Sequence, residues 1–170
     1  MKLRMVGKYL GYLIWAEAGF LLLPLLVALL YGERLPALSL LLSSAICLLA
    51  GLVLFFLCRR ANTTIYAREG FAIAGIGWIA VSLFGALPFF LSGEIPHFAD
   101  AFFESVSGFT TTSASVLPTM ESLSRGILFW RSFTHWMGGI GVLVFILALI
   151  RTKNGSGFTL HQISDIRFFG

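Results

Sequence analysis

Four long apolar runs constrain the fold of this chain more than any other feature of its sequence. The runs cover residues 9–31, 37–57, 70–91 and 127–150. A helix needs roughly 20 residues, at about 1.5 Å each, to cross about 30 Å of hydrocarbon. Each run is therefore predicted to be a membrane-spanning helix, and the predicted fold class is all-α integral membrane.

The composition supports this prediction and argues against a soluble domain. Hydrophobic residues make up 58% of the 170 residues and charged residues only 12%, too few to cover a soluble surface. The net charge of +4 does not indicate a nucleic-acid partner, because the basic residues flank the apolar runs instead of forming one patch. Cys47 and Cys58 lack the spacing of a metal or redox site and are interpreted as plain thiols.

The basic residues also predict the orientation of the helices. Most Lys and Arg residues near the ends of the runs lie at the N-terminus, in the 59–68 loop and in the tail. Such residues are enriched on the cytoplasmic side of membrane proteins, so both termini are predicted to be cytoplasmic. The turn at 32–36 makes the first two runs an antiparallel hairpin, and residues 92–124 are predicted to lie outside.

The outer segment contains a short apolar stretch followed by a run of hydroxyl residues. Residues 98–108 suffice for a helix of roughly 16 Å, which can enter a bilayer but not cross it, and residues 109–117 remain for the return. Non-helical backbone is tolerated at membrane depth only where protein covers it or where it lines a watery path. A re-entrant pore loop, with carbonyls replacing the water shell of a cation, fits this requirement. An ordinary extracellular loop fits as well, and spacing alone leaves both readings open.

Three segments of the chain carry a resemblance to a known family. They read FGALPFFLSG at 84–93, DAFFESVSGFTTTSAS at 100–115 and LFWRSFTHWMGGIGVLVF at 128–145. In wording, order and spacing they resemble the first membrane-pore-membrane repeat of the Trk/Ktr/HKT superfamily of cation transporters. The likeness is closest to the N-terminal part of bacterial TrkH-type potassium uptake subunits, including their leading helical hairpin.

The resemblance implies a domain organisation. Residues 1–60 are expected to form the N-terminal transmembrane hairpin, and residues 61–150 one unit of helix, re-entrant pore helix, filter loop and helix. Residues 151–170 are expected to be a cytoplasmic tail. Family pores contain four such repeats on one chain. This chain is therefore expected to be either a fragment or a unit that assembles with further repeats, as in a homo-oligomer.

The function that the resemblance implies is potassium, or other monovalent cation, uptake across the cell inner (plasma) membrane, without enzymatic activity or a cofactor. Whether the ion moves by channel or by symport stays open. Expected partners are a second full-length subunit, a cytoplasmic nucleotide-binding regulatory subunit and membrane lipid, but no nucleic acid. The alternatives are a non-conducting membrane interaction protein and an intramembrane hydrolase using Ser105 or Ser107 with His135. The hydrolase lacks an acidic residue to orient the histidine.

The resemblance also implies which residues face the ion. Backbone carbonyls of Thr111, Thr112, Ser113 and Ala114 would bind the monovalent cation. The family pattern is commonly Thr-Thr-Thr-Gly-Ala, and Ser113 occupies the place of the glycine. A residue with a Cβ costs on the order of 1 kcal/mol at positive φ, so strict potassium selectivity is in doubt and sodium permeation is an alternative.

Four further residues are expected to support the filter. Thr110 precedes the ion-facing residues, and Gly108 ends the pore helix. Glu104 is expected to orient either the filter or Arg131, or else to be an interfacial carboxylate without a special role. Arg131 lies in the first turns of the last span, where a charge is usually paired, and is expected to act as a structural anchor.

The remaining polar and small residues of the apolar runs are given structural roles. His135 is expected to make a buried polar contact, since no second metal ligand accompanies it. Gly138, Gly139 and Gly141 are expected to allow close helix packing. Glu17 is expected to hydrogen-bond between helices rather than to take part in transport.

Overall fold

A computed structural model describes residues 3–59 and 67–154, and it is helical almost throughout. A single 3-10 turn, Met120–Ser122, precedes the last helix, and no strand occurs in the ranges described, which confirms the all-α class. In chain order the helices are α1 Leu3–Phe20, α2 Leu22–Leu30, α3 Arg34–Cys58, α4 Ala67–Gly85, α5 Leu87–Leu91, α6 Phe98–Phe109 and α7 Arg125–Asn154.

Two of the predicted spans are interrupted just before a proline. The first is divided at Leu21 into α1 and α2, just before Pro24. The third is divided at Ala86 into α4 and α5, just before Pro88. Proline has no backbone N–H to donate, and its ring collides with the carbonyl of the residue four positions earlier, so a helix bends in the preceding turn.

Three segments of the described chain are long and apolar enough to cross a membrane. They are Arg4–Leu30, Arg34–Cys58 and Gly70–Leu91. The fourth predicted run lies within α7, a helix of 30 residues. That α7 crosses the membrane remains a prediction.

The helices expose apolar side chains and bury polar ones, the opposite of the distribution in a soluble protein. Large apolar side chains point outward, with Leu30 76% exposed and Leu35 and Leu57 each 72% exposed. The buried positions include many small and polar residues instead, among them Ser39, Ser43 and Ser44. Lipid is as apolar as leucine, so helices in a membrane associate through small residues and polar contacts.

The first two spans pack against each other as the predicted hairpin. Gly32, with φ 70°, ends the first span, and α3 begins two residues later. A Cβ on Gly51 would lie 2.3 Å from the Trp15 ring, so the two helices approach closely only because this residue is a glycine. Trp15 Nε1 donates a hydrogen bond to the Leu48 carbonyl at 3.1 Å, and Ser44 Oγ donates to the Ala18 carbonyl at 3.0 Å.

The hairpin turn also holds the start of α7. The Glu33 carboxylate accepts hydrogen bonds from the backbone N–H of Arg125 at 2.8 Å and of Gly126 at 2.9 Å. Nearby, Glu94 Oε2 accepts from the N–H of Ser124 at 3.0 Å. The first N–H groups of a helix have no partner within the helix, and the helix dipole favours negative charge there. The sequence predicts only a turn at 32–36 and gives no local signal of this contact.

The described residues cover only part of the predicted domain boundaries. The boundary at residue 60 and all of the tail after residue 154 lie outside the described residues, while residues 151–154 continue α7. The hairpin is not a separate body, since α1 packs on α4 and α2 on α7. Cys47 is buried and Cys58 half-buried, and both are free thiols as expected.

Replacing Glu33 with alanine is expected to destabilise the start of α7 by about 1 kcal/mol, as loss of a helix cap typically does. Thermal unfolding of the purified chain in detergent, followed by helical circular dichroism, measures the change. The matched control is Arg34→Ala, an exposed neighbour on the same turn. Equal stability of the Glu33 and Arg34 variants would show that the cap contributes nothing.

Candidate functional site

Helix α6 and the loop after it form the candidate site. Helix α6 has 12 residues, about 18 Å, and its limits agree with the predicted pore helix to within one residue. It packs against α4 and α7, and one face is fully enclosed, including Ala101, Glu104 and Ser105, each 0% exposed. A polar face buried in this way requires partners for its side chains.

The C-terminal end of α6 is packed tightly against α7. A Cβ on Gly108 would lie 2.2 Å from Thr134 Oγ1, and a Cβ on Gly138 would lie 2.3 Å from the Phe109 carbonyl oxygen. Trp78 Nε1 of α4 donates to the same carbonyl at 3.1 Å. Gly108 and Gly138 therefore permit this contact, whereas a Cβ on Gly139 would meet nothing within 4 Å.

The backbone of the loop adopts an uncommon conformation at two alternate positions. Thr111 has φ 57° and Ser113 has φ 60°, and these are the residues other than glycine with positive φ in the described chain. The left-handed region costs roughly 1–2 kcal/mol for a residue with a Cβ, so surrounding contacts must hold the loop in place. Ser113 thus has the conformation for which the glycine of the family pattern is suited.

Glu104 is the centre of those contacts. Its Oε2 accepts hydrogen bonds from Ser115 Oγ at 2.9 Å and from the N–H of Val116 at 3.3 Å. Arg131 Nε of α7 donates to its Oε1 at 2.5 Å. The Glu104 side chain is 0% exposed and that of Arg131 14%. The loop and Arg131 are the alternative partners expected for Glu104 from the sequence, and the structure joins Glu104 to both.

Further hydroxyl groups fasten the ends of the loop. Ser107 Oγ on α6 donates to the Ala114 carbonyl at 2.6 Å. At the other end, Thr110 Oγ1 donates to the Val106 carbonyl at 2.7 Å, and the N–H of Thr112 donates to the Ser107 carbonyl at 3.0 Å. The loop is thus tied to α6 at both ends.

The four residues predicted to face an ion lie together on the open side of this loop. Thr111, Thr112, Ser113 and Ala114 are all exposed, as is Thr110. They are not equivalent, because the Ala114 carbonyl already accepts the hydrogen bond from Ser107. The positive φ values fall at the first and third of the four residues.

The residues of the hydrolase alternative are not arranged for catalysis. Ser105 Oγ has no hydrogen-bond partner, and Ser107 Oγ donates to a carbonyl. The Nδ1 of His135 lies 2.9 Å from the Arg131 carbonyl oxygen, so the expected polar contact is present, but the residue is half-buried and not buried as expected. No group of three or more His, Cys, Asp or Glu residues able to hold a metal occurs among the residues described.

The expectation that Glu17 hydrogen-bonds between helices is wrong. Both of its carboxylate oxygens are buried, yet neither has a hydrogen-bond partner within the described part of the chain. Ser44 of α3 does not bond to the Glu17 side chain, because its hydroxyl donates to the backbone carbonyl of Ala18. The residues packed around Glu17 are mostly apolar.

Comparison with known proteins places this geometry in context. The sequence profile of the family described as TrkH, cation transport protein, matches residues 39–164. The Trk system potassium uptake protein TrkH of Salmonella typhimurium is 35% identical over 95% of this chain and 34% of its own length. An uncharacterized cation transporter of Methanocaldococcus jannaschii is 33% identical over 93% of this chain and 32% of its own.

A solved structure is similar as well. The crystal structure of the potassium transporter TrkH from Vibrio parahaemolyticus matches with a TM-score of 0.83 and 33% identity. The match covers 94% of this chain and 34% of that chain. The chain therefore spans about a third of the length of the relatives that it matches.

Replacing Glu104 with glutamine is expected to destabilise the chain by about 3 kcal/mol, because the half-buried Arg131 guanidinium loses its charged partner. Chemical unfolding in detergent measures the loss. A double-mutant cycle with Arg131→Met provides the control, since the double variant removes both charges together. The double variant is expected to be more stable than the sum of the single effects predicts, and strict additivity would contradict the coupling.

Proposed function

The chain belongs to the TrkH family of cation transport proteins, and from this premise we propose that it supplies one repeat of a potassium uptake pore. The family transports cations and is not an enzyme family, and the three apolar spans make the chain a multi-pass membrane protein. Its relatives named TrkH are potassium uptake proteins. For this chain, potassium is the proposed cargo, bound only in transit.

The observation that carries this proposal is the conformation of residues 111–113 beside α6. An extended strand points successive peptide groups to opposite sides, whereas left-handed residues at alternate positions can bring them toward one side. Carbonyls gathered on one side can replace the water around a potassium ion. The carbonyls of Thr111, Thr112 and Ser113 are the best candidates. That of Ala114 is the weakest, because Ser107 holds it.

The contacts around the loop supply the rigidity that such a site requires. The Glu104 carboxylate and the Ser107 hydroxyl hold the inner side of the loop, while residues 111–114 stay open on the other side. The C-terminal end of α6 carries the negative end of the helix dipole, which favours a nearby cation. At that end Thr110 Oγ1 lies 2.8 Å from Thr112 Oγ1 of the loop, and the lack of a side chain on Gly108 lets the helix approach Thr134 of α7.

The pore itself requires more than this repeat. One loop offers carbonyls from a single side, and a desolvated ion needs them all around, so three further repeats are proposed to complete the ring. They come from further sequence of the same protein or from other subunits. We also propose a dimer of full-length subunits, a cytoplasmic nucleotide-binding regulatory subunit, and insertion in the inner membrane with both termini cytoplasmic.

Growth of cells at low potassium tests whether this chain conducts potassium alone. Cells that lack other potassium uptake systems are expected to grow at low potassium only when this chain is expressed together with the sequence for three more repeats. Growth supported by the chain alone would mean that copies of it assemble the ring. No growth in either case would favour the alternative of a non-conducting interaction protein.

Ser113 is proposed to weaken the preference for potassium over sodium. Glycine at φ 60° relieves strain of on the order of 1 kcal/mol, which corresponds to about a fivefold change in an equilibrium. Ser113→Gly in the complete transporter is therefore expected to raise the ratio of rubidium to sodium uptake by up to about fivefold. Ser113→Ala is the matched control, because it keeps the Cβ and should leave the ratio near that of the parent. Equal ratios in all three proteins would contradict the filter role of this residue.

A further inference from the structure

Three basic residues meet at the end of the α1–α3 hairpin opposite its turn. A Cβ on Gly7 of α1 would lie 2.7 Å from Cys58 Sγ of α3, so these two residues lie at the same level of the hairpin. Arg4 and Lys8 are within one helical turn of Gly7. Arg59 directly follows Cys58. The close contact between the two helices therefore gathers these three cations.

Ring contacts one turn further along the hairpin indicate which side of it the cations share. The Tyr12 and Phe55 rings have centroids 6.0 Å apart. Residues four apart lie on one helical face, so Lys8 lies in line with Tyr12, and Arg59 in line with Phe55. Because the helices are antiparallel, both steps lead toward the same end of the hairpin. Lys8 and Arg59 therefore lie on the same side of the hairpin, and Arg4 continues the line of Lys8.

These cations have no acidic partner in the described part of the chain. The ion pair that the described residues form lies elsewhere, between α6 and α7. The nearest acidic residue along α1 or α3 is Glu17, which is nine positions from Lys8, or about 14 Å along the helix axis. Arg4 and Arg59 are exposed and Lys8 is half-buried. Since like charges repel, an anion from outside the chain would stabilise this group.

An aromatic cluster lies directly beside the cations. The Trp15 and Phe55 rings stack with centroids 5.5 Å apart, and Tyr12 packs edge-on against Trp15. Tyr12 and Phe56 are exposed at the edges of this cluster. Trp and Tyr are enriched where a span reaches the level of the lipid headgroups. An occupant of this surface therefore needs an anionic group with an apolar part attached to it.

We propose that this end of the hairpin binds an anionic phospholipid, with its phosphate between Lys8 and Arg59 and its acyl chains against the aromatic cluster. A guanidinium donates two parallel N–H groups to phosphate oxygens, and an ammonium adds a compact charge. Basic residues beside a membrane span attract anionic headgroups. A zwitterionic headgroup carries a cation that Arg4 would repel, so a net negative headgroup is favoured. This site is separate from the filter loop, and ion uptake does not test it.

The probe for this site is phosphatidylglycerol, whose headgroup has a net negative charge. Native mass spectrometry of the 170-residue chain in detergent measures binding as this lipid is added, with phosphatidylcholine of the same acyl chains as the comparison. Phosphatidylglycerol is expected to bind more tightly. Lys8→Met and Arg59→Met remove the charge but keep an apolar stem. Each should weaken phosphatidylglycerol binding about fivefold, the typical contribution of one basic residue beside an anionic lipid surface.

Matched variants separate this site from a general effect of charge. Arg34→Met removes an exposed charge at the opposite end of the same hairpin and should leave binding unchanged. Lys8→Arg and Arg59→Lys keep the charge and should restore most of the affinity. Soluble glycerol phosphate should not displace the lipid at equal concentration, which distinguishes a lipid site from a site for free phosphate. Circular dichroism of each variant checks that the helices are retained.

Four results would overturn the proposal. Two are equal phosphatidylglycerol binding by the parent and by the double variant of Lys8→Met and Arg59→Met, and phosphatidylcholine binding as tight as that of phosphatidylglycerol. The others are a loss in Arg34→Met as large as in Lys8→Met, and displacement of the lipid by glycerol phosphate. If the double variant fails to fold, the comparison of the two lipids on the parent chain still decides.

Discussion

The Glu104 carboxylate is the contact on which the candidate site depends, because it joins α6, the following loop and α7. One oxygen accepts from Arg131 and the other from the loop at Ser115 and Val116. The two left-handed residues, Thr111 and Ser113, lie upstream of that anchored point. A strained backbone persists only when its surroundings determine it, and here a buried ion pair and hydroxyl contacts do so.

Polar contacts also connect the helical hairpin to the candidate site. The first and third spans are interrupted just before Pro24 and Pro88, and Glu33 at the hairpin turn holds the N-terminus of α7. Helix α7 in turn presents Arg131 to Glu104. The hairpin thus contributes to the position of the loop through α7, although its helices take no part in the loop itself. In a membrane, where apolar surface gives little drive for association, such polar contacts and glycine-lined approaches set the arrangement.

Much of the fold could be predicted from the sequence because membrane helices follow from length and apolarity. Helix α6 was located to within one residue, since the apolar stretch at 98–108 ends at small and hydroxyl residues. Contacts between distant residues could not be predicted, and the bond from Glu33 to Gly126 has no local signal in the sequence. Pro24 and Pro88 indicate in the sequence that the first and third spans are interrupted, but apolar length and periodicity alone do not reveal this. The expectation for Glu17 was wrong because partner choice depends on how helices pack, and the ion-facing role of residues 111–114 remains a prediction.

The central claim is that a cation passes against the carbonyls of Thr111, Thr112 and Ser113. The most direct measurement is the structure of the complete transporter with rubidium, located by its anomalous scattering. The account predicts a rubidium peak on the open side of the loop, in contact with carbonyl oxygens of these three residues. A loop without ion density, in a transporter that binds rubidium elsewhere along its pore, would contradict it.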